Sequence, residues 1–200
     1  MPSNLTRRAM MLSGSAVLMG AMASPALALT DAQARTLVDR AVSDINKTIA
    51  SGKSVGSMIS DFERIFGRYA DVSIMASTAL GPDARRATPA QFSAYVKAYQ
   101  GYIARKYGKR FNEFVGGTVT VQSVRAVKSY HEVKTIVNLR GKSPFEVNFL
   151  VSDKSGKDLF FDMIIEGVSL RLSERTEIGA MLDRRKGDID AMIADLRQAG

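Results

Sequence analysis

Asp162 and Glu166 stand four residues apart in the stretch Asp162-Met163-Ile164-Ile165-Glu166-Gly167-Val168-Ser169-Leu170, an apolar strand that runs on into a charged helix. On one strand parity, two carboxylates could face a common space, which is the minimum for a general acid working with a general base. The competing reading is blander and stronger: Asp162 is an outward-facing strand residue and Glu166 stays wet or caps the helix that follows. Other chemistry is scarce. The single histidine, His131, lies beside Tyr130 and Glu132 at the start of a strand, and the chain has no second His and no Cys with which to build a metal site. It reads as a turn residue. There is no Gly-x-Ser-x-Gly elbow, phosphate loop or dinucleotide fingerprint, and Glu166-Gly167-Val168-Ser169 resembles a serine motif only superficially.

The polar side chains that do recur in a pattern are tyrosines. Phe92, Tyr95, Tyr99, Ile103 and Tyr107 fall on one helical stripe, with Tyr102 beside it. Such a stripe is ordinarily core. A buried tyrosine hydroxyl needs a partner, however, so several together also suit the wall of a cavity with a wet mouth. Met58, Met75, Met163, Met181 and Met192 add flexible side chains able to repack around variable contents.

The elements that must carry these residues follow from periodicity. Leu37, Val38, Ala41, Val42, Ile45 and Ile49 predict a first amphipathic helix, and Val55 to Tyr69 a second. Val72 to Leu80 predicts a short third helix, broken at Gly81-Pro82-Asp83. Thr88-Pro89-Ala90-Gln91 combines a capping hydroxyl, a proline at the first helical position and a capping-box glutamine, opening a fourth helix expected to reach about Phe114 before Gly116-Gly117. The period then changes to two. Strands are expected around Val119 and Val121, around Val133 to Leu139, from Phe145 to Val151, and through Phe161, Met163 and Ile165, joined by short polar connections that suit antiparallel hairpins. Helices from Ser173 to Arg185 and from Asp188 onward close the chain. The fold class expected is α+β, with helices packed on a curved four-stranded antiparallel sheet that could enclose an apolar cavity between them.

The first 28 residues read differently. Arg7 and Arg8 precede an uncharged run from Ala9 to Ala23, and Ser24-Pro25-Ala26-Leu27-Ala28 ends it, the layout of a signal peptide cleaved after Ala28. The paired arginines resemble a twin-arginine signal, with Met10-Met11 where a Phe-Leu pair is usual. Residues 29–200 then form one expected domain, and its 26 Lys and Arg against 20 Asp and Glu leave a net charge of +6. With no cysteine, packing alone must stabilise an exported chain. A basic surplus in such a chain points to anionic lipid surfaces or acidic protein patches rather than nucleic acid.

Leu80-Gly81, Ala87-Thr88-Pro89-Ala90-Gln91-Phe92 leading into the Tyr-rich helix, Asp162 to Leu170 after the sheet, and Gly187-Asp188-Ile189 opening the last helix together resemble the MlaC family, the toluene-tolerance auxiliary proteins of lipid ABC transporters. The likeness runs through most of residues 29–200. It implies a variant of the nuclear-transport-factor-two fold whose cavity holds a glycerophospholipid by its acyl chains, and a periplasmic, monomeric carrier with no cofactor beyond that cargo. Its partners would be an inner-membrane lipid ABC transporter complex and an outer-membrane lipoprotein complex. The residues then expected to line the cavity are Met75, Tyr95, Tyr99, Ile103, Val147, Phe149, Met163, Ile165 and Val168, with Gly167 turning the backbone at the rim and Val168 pointing inward. Two departures stand out: Pro82-Asp83-Ala84 replace an aromatic pair that usually follows Leu-Gly, and Glu174 replaces a common tyrosine. The alternatives are a hopanoid carrier of the same family, a small enzyme on the same fold using Asp162 or Glu166, and an interaction protein whose cavity is solid core.

Overall fold

Side-chain caps start the helices where hydroxyls and short acids stand before apolar runs. A computed structural model describes residues 29–200; the expected signal segment, residues 1–28, lies outside them. Helix α1 (Asp31–Ile49) opens on a capping box in which Gln33 N–H donates to Thr30 Oγ1 and Thr30 N–H to Gln33 Oε1. Ser54 caps α2 (Val55–Tyr69) and Asp71 caps α3 (Val72–Leu80), which a 3-10 turn, Gly81–Arg85, continues. Thr88 and Gln91 form the second capping box, at the head of α4 (Pro89–Gly108).

Helix α4 stops earlier than its sequence period suggests. A Cβ at Gly108 would come within 2.7 Å of Ile59 Cγ1, so glycine lets α2 and α4 close on each other there. The chain then turns into a separate helix, α5 (Phe111–Phe114), whose two phenylalanines meet edge to face.

The sheet is antiparallel throughout, ordered β1 (Thr118–Val127), β2 (Tyr130–Asn138), β3 (Phe145–Ser152), β4 (Leu159–Ile165) and β5 (Val168–Ser169). It has one more strand than the four expected, because the segment after Gly167 folds back onto β4 before becoming helix. Ile165-Glu166-Gly167-Val168 is a two-residue hairpin in which Glu166 has φ 48° and Gly167 φ 83°, both in the left-handed region. A turn with two positive φ values matches the twist of paired strands, and glycine adopts it without steric cost. That is why Glu-Gly stands at this point.

Cross-strand register sets the inner face: Val121, Thr135, Val147 and Ile165 lie in one row, and Val133, Phe149 and Met163 in the next. A bulge between Asp162 and Phe160 shifts the pattern near the start of β4, so Phe160 rather than Phe161 shares the inner face and is buried, while Phe161 lies under the Arg171 guanidinium. Helix α6 (Leu170–Arg184) and α7 (Ile189–Leu196) complete the structure. Residues of every long element join one apolar core. Phe149 meets Phe160 edge to face and Phe66 meets Phe160 at a tilt, with centroids 5.2 Å and 6.1 Å apart, joining the sheet to α2.

Candidate functional site

On the other side of that aromatic contact the helices and sheet part. A cavity of about 430 Å³ lies between them, within the usual range of about 300–1,000 Å³ for small-molecule sites. Its sheet wall is Val119, Thr135, Val137, Val147, Phe149, Met163 and Ile165; its helical wall is Ile45, Phe62, Ile103, Tyr107, Phe111 and Phe114, with Leu170 at one side. The polar atoms on these walls are turned to other partners. Thr135 Oγ1 donates to the Val147 carbonyl at 2.7 Å, and Tyr107 Oη donates to Glu174 at 2.7 Å, away from the cavity. What remains facing the space is hydrocarbon. Charge appears only at the mouth, where the exposed residues Arg110, Lys142 and Glu166 join Ser143 and Pro144.

Of the nine residues expected on the wall, the structure places Ile103, Val147, Phe149, Met163 and Ile165 there. The other four lie elsewhere. Met75, Tyr95 and Tyr99 are fully buried in the closed part of the core, where tyrosine rings follow one another at about 6 Å along α4. Val168 pairs with Ile165 on the two-residue edge strand β5, yet it is 59% exposed and does not line the cavity. The phenylalanines Phe62, Phe111 and Phe114 belong to the wall and escaped notice, since each reads as one more apolar residue in a helix; only the break at Gly108 turns the last two toward the sheet.

The two acids do not share a space. Asp162 lies on the outer face of β4, buried under the start of α6: its Oδ1 accepts from Met163 N–H and Arg171 N–H, and its Oδ2 from Ser169 Oγ at 2.6 Å. Ser169, in turn, caps α6, so Glu166 has no capping role and stands at the mouth. His131 fastens the start of α1 to β2, its ring nitrogens 2.6 Å from Asp31 Oδ1 and 2.8 Å from the Leu29 carbonyl oxygen. Among the described residues no group of three or more His, Asp or Glu side chains is placed to hold a metal ion.

Both departures noted in the sequence resolve structurally. Pro82, Asp83 and Ala84 sit in the 3-10 turn and none touches the cavity, so they do not shape its entrance. Glu174 is fully buried behind the helical wall and accepts from Lys106 Nζ at 2.9 Å and from Tyr107 Oη. Burial works against the Lys106 charge, but its bonds to Glu174 and Glu177 outweigh that and hold its pKa above the ordinary lysine value. Burial first, then the hydrogen bond to Glu174, pushes the Tyr107 phenol up. The wall tyrosine therefore stays neutral, with its hydroxyl tied outward.

The model of the family described as MlaC protein matches residues 35–198. This chain belongs to the MlaC family. Among solved structures, a phospholipid-binding protein from Ralstonia solanacearum, determined in complex with a phospholipid, has the same fold at a TM-score of 0.70 and 20% identity, over 82% of this chain and 95% of that one. The match to the MlaC family takes in every wall residue, from Ile45 on α1 to Leu170 at the head of α6. No helix among the described residues is long and apolar enough to cross a membrane.

Proposed function

We propose that this MlaC family member is a periplasmic carrier that holds a glycerophospholipid by its acyl chains and passes it between an inner-membrane lipid ABC transporter complex and an outer-membrane lipoprotein complex. The observation that carries the reading is the cavity itself: hydrocarbon walls, polar atoms turned away, and charge confined to the mouth. The phospholipid held by the Ralstonia solanacearum protein of the same fold supports it. So does the leader-like segment of residues 1–28.

The physics explains the design. A diacyl lipid has on the order of 30 methylenes, each costing about 0.8 kcal/mol in water, so a bare molecule meets a barrier of roughly 20–25 kcal/mol on leaving its bilayer. A dry sleeve removes most of that. Ile103, Val147, Phe149, Met163 and Ile165 would touch the chains, and the adaptable Met163 thioether would accommodate different lengths. Binding of this kind needs no cofactor and no chemistry, and a monomer suffices.

Mass spectrometry of lipids extracted from the purified protein tests the reading. Glycerophospholipid is expected from the natural chain, and little from Met163→Trp, whose indole would occupy the cavity, at an unchanged circular dichroism spectrum. Extraction of hopanoid instead would overturn the cargo; retention of phospholipid by the tryptophan variant would overturn the site.

A further inference from the structure

The mouth holds two cations, the lining carboxylate Glu166, and a second carboxylate, Glu113, that is not itself part of the lining. Arg110, just before α5, and Lys142, in the β2–β3 connection, both line the cavity. Both are bound to Glu113: Arg110 Nε donates to Oε1 at 3.0 Å, Arg110 Nη2 to Oε2 at 3.3 Å, and Lys142 Nζ also to Oε2. Both cations are thus engaged by Glu113, and Glu166, which lines the mouth itself, brings the mouth's carboxylates to two. These contacts hold the Glu113 carboxyl well below the usual range, at about 2, so it is ionised at any ordinary pH. The side chains are 66%, 49% and 36% exposed for Arg110, Lys142 and Glu113, which makes them surface ion pairs that another anion can replace at little cost. Arg110 adjoins Phe111 in sequence and both line the cavity, so the polar end of anything filling the hydrocarbon space emerges beside the guanidinium.

We propose that Glu113 is a stand-in for a lipid phosphodiester: the entering phosphate takes the Arg110 fork and the Lys142 ammonium from it, and the mouth thereby selects phosphate-bearing diacyl lipids over neutral ones. A guanidinium fork matches two phosphate oxygens and an ammonium supplies a point charge, whereas a neutral glyceride offers no anion to displace a carboxylate. The inference rests on the acyl-chain reading of the cavity and names the chemical class of headgroup it accepts.

The test uses delipidated full chain and two chain-labelled probes with the same acyl chains, phosphatidylglycerol and diacylglycerol. The natural protein should bind phosphatidylglycerol about tenfold more tightly, the scale of a charge-assisted hydrogen bond. Arg110→Gln with Lys142→Gln should bring the two probes near equality, Arg110→Lys should fall between, and Glu113→Gln should tighten phosphatidylglycerol while leaving diacylglycerol unchanged. Equal binding of both probes by the natural protein, or no response to Glu113→Gln, would overturn the inference and leave the acyl-chain reading standing. Failure of both probes to bind would remove both. Competition by glycerophosphoglycerol alone would reassign the mouth to a soluble phosphodiester and so overturn selection of a lipid.

Discussion

Along α4, Tyr95 and Tyr99 sit in a closed core while Ile103 and Tyr107, one and two turns beyond Tyr99, face the sheet across an open cavity. All four belong to one stripe of one helix, so amphipathicity does not distinguish them. The difference comes from what lies opposite. Around Tyr95 and Tyr99, α4 is covered by other helices, and Glu174 of α6 is close enough to act on both phenols. Around Ile103 and Tyr107 the opposing surface is the inner face of the strands, held off by the aromatic contact of Phe149 with Phe160 and of Phe160 with Phe66. Here the part of α4 packed against helices is closed, and the part propped off the sheet leaves a void.

The comparison can be broken hardest with alkali. Burial, then the charge of Glu174, raises the Tyr95 phenol, and burial with its neighbours raises Tyr99, Tyr102 and Tyr107. Lys106 is raised as well. Groups whose folded pKa lies above the unfolded value bind more protons when folded, so their contribution is complete below the ordinary tyrosine value of 10.0 and is lost as pH rises past it. These four tyrosines should resist phenolate formation above that pH until the protein unfolds cooperatively, so that their share of the phenolate absorbance rises together with loss of helical circular dichroism. Ionisation of Tyr95 and Tyr99 before unfolding, read as absorbance lost in Tyr95→Phe and Tyr99→Phe variants, would mean that the closed half is not closed.

Truncation on either side of the boundary sharpens it further. Tyr99→Ala should cost about 3–5 kcal/mol, as for large aromatic side chains removed from a packed core, whereas Met163→Ala on the cavity wall should cost less than the 2–5 kcal/mol typical of a packed methionine. Denaturant unfolding of the lipid-free proteins measures both, and equal losses would erase the distinction. The smallest effect is expected at Val168: being 59% exposed, Val168→Glu should change stability by less than about 0.5 kcal/mol and leave the extracted lipid unchanged.

Much of this was legible in the residues. The helix starts at Thr30 and Thr88 lie in their own capping boxes, and the change of apolar period after Gly117 marks the sheet, because both are local properties of the chain. Part of the sheet wall was legible for the same reason: Val147, Phe149, Met163 and Ile165 alternate along their strands. The errors fell where one residue out of step changes a face. The bulge next to Phe160 turned Phe161 outward, the break at Gly108 turned Phe111 and Phe114 toward the sheet, and the tight turn at Glu166-Gly167 left Val168 in solvent. Buried Glu174 could not be anticipated either, since its partners Lys106 and Tyr107 are nearly seventy residues away in the chain.

The sequence by itself determined the position of most helices and strands, the antiparallel pairing of the four long strands and the family to which the chain belongs, because caps, turns and periodicity act between neighbours a few residues apart. Only the tertiary structure decided which apolar residues meet each other and which face an empty space. Apolar side chains look alike in sequence whether they bury against protein or against a cavity, and the distance between a helix and a sheet is set by the few large side chains that hold them apart.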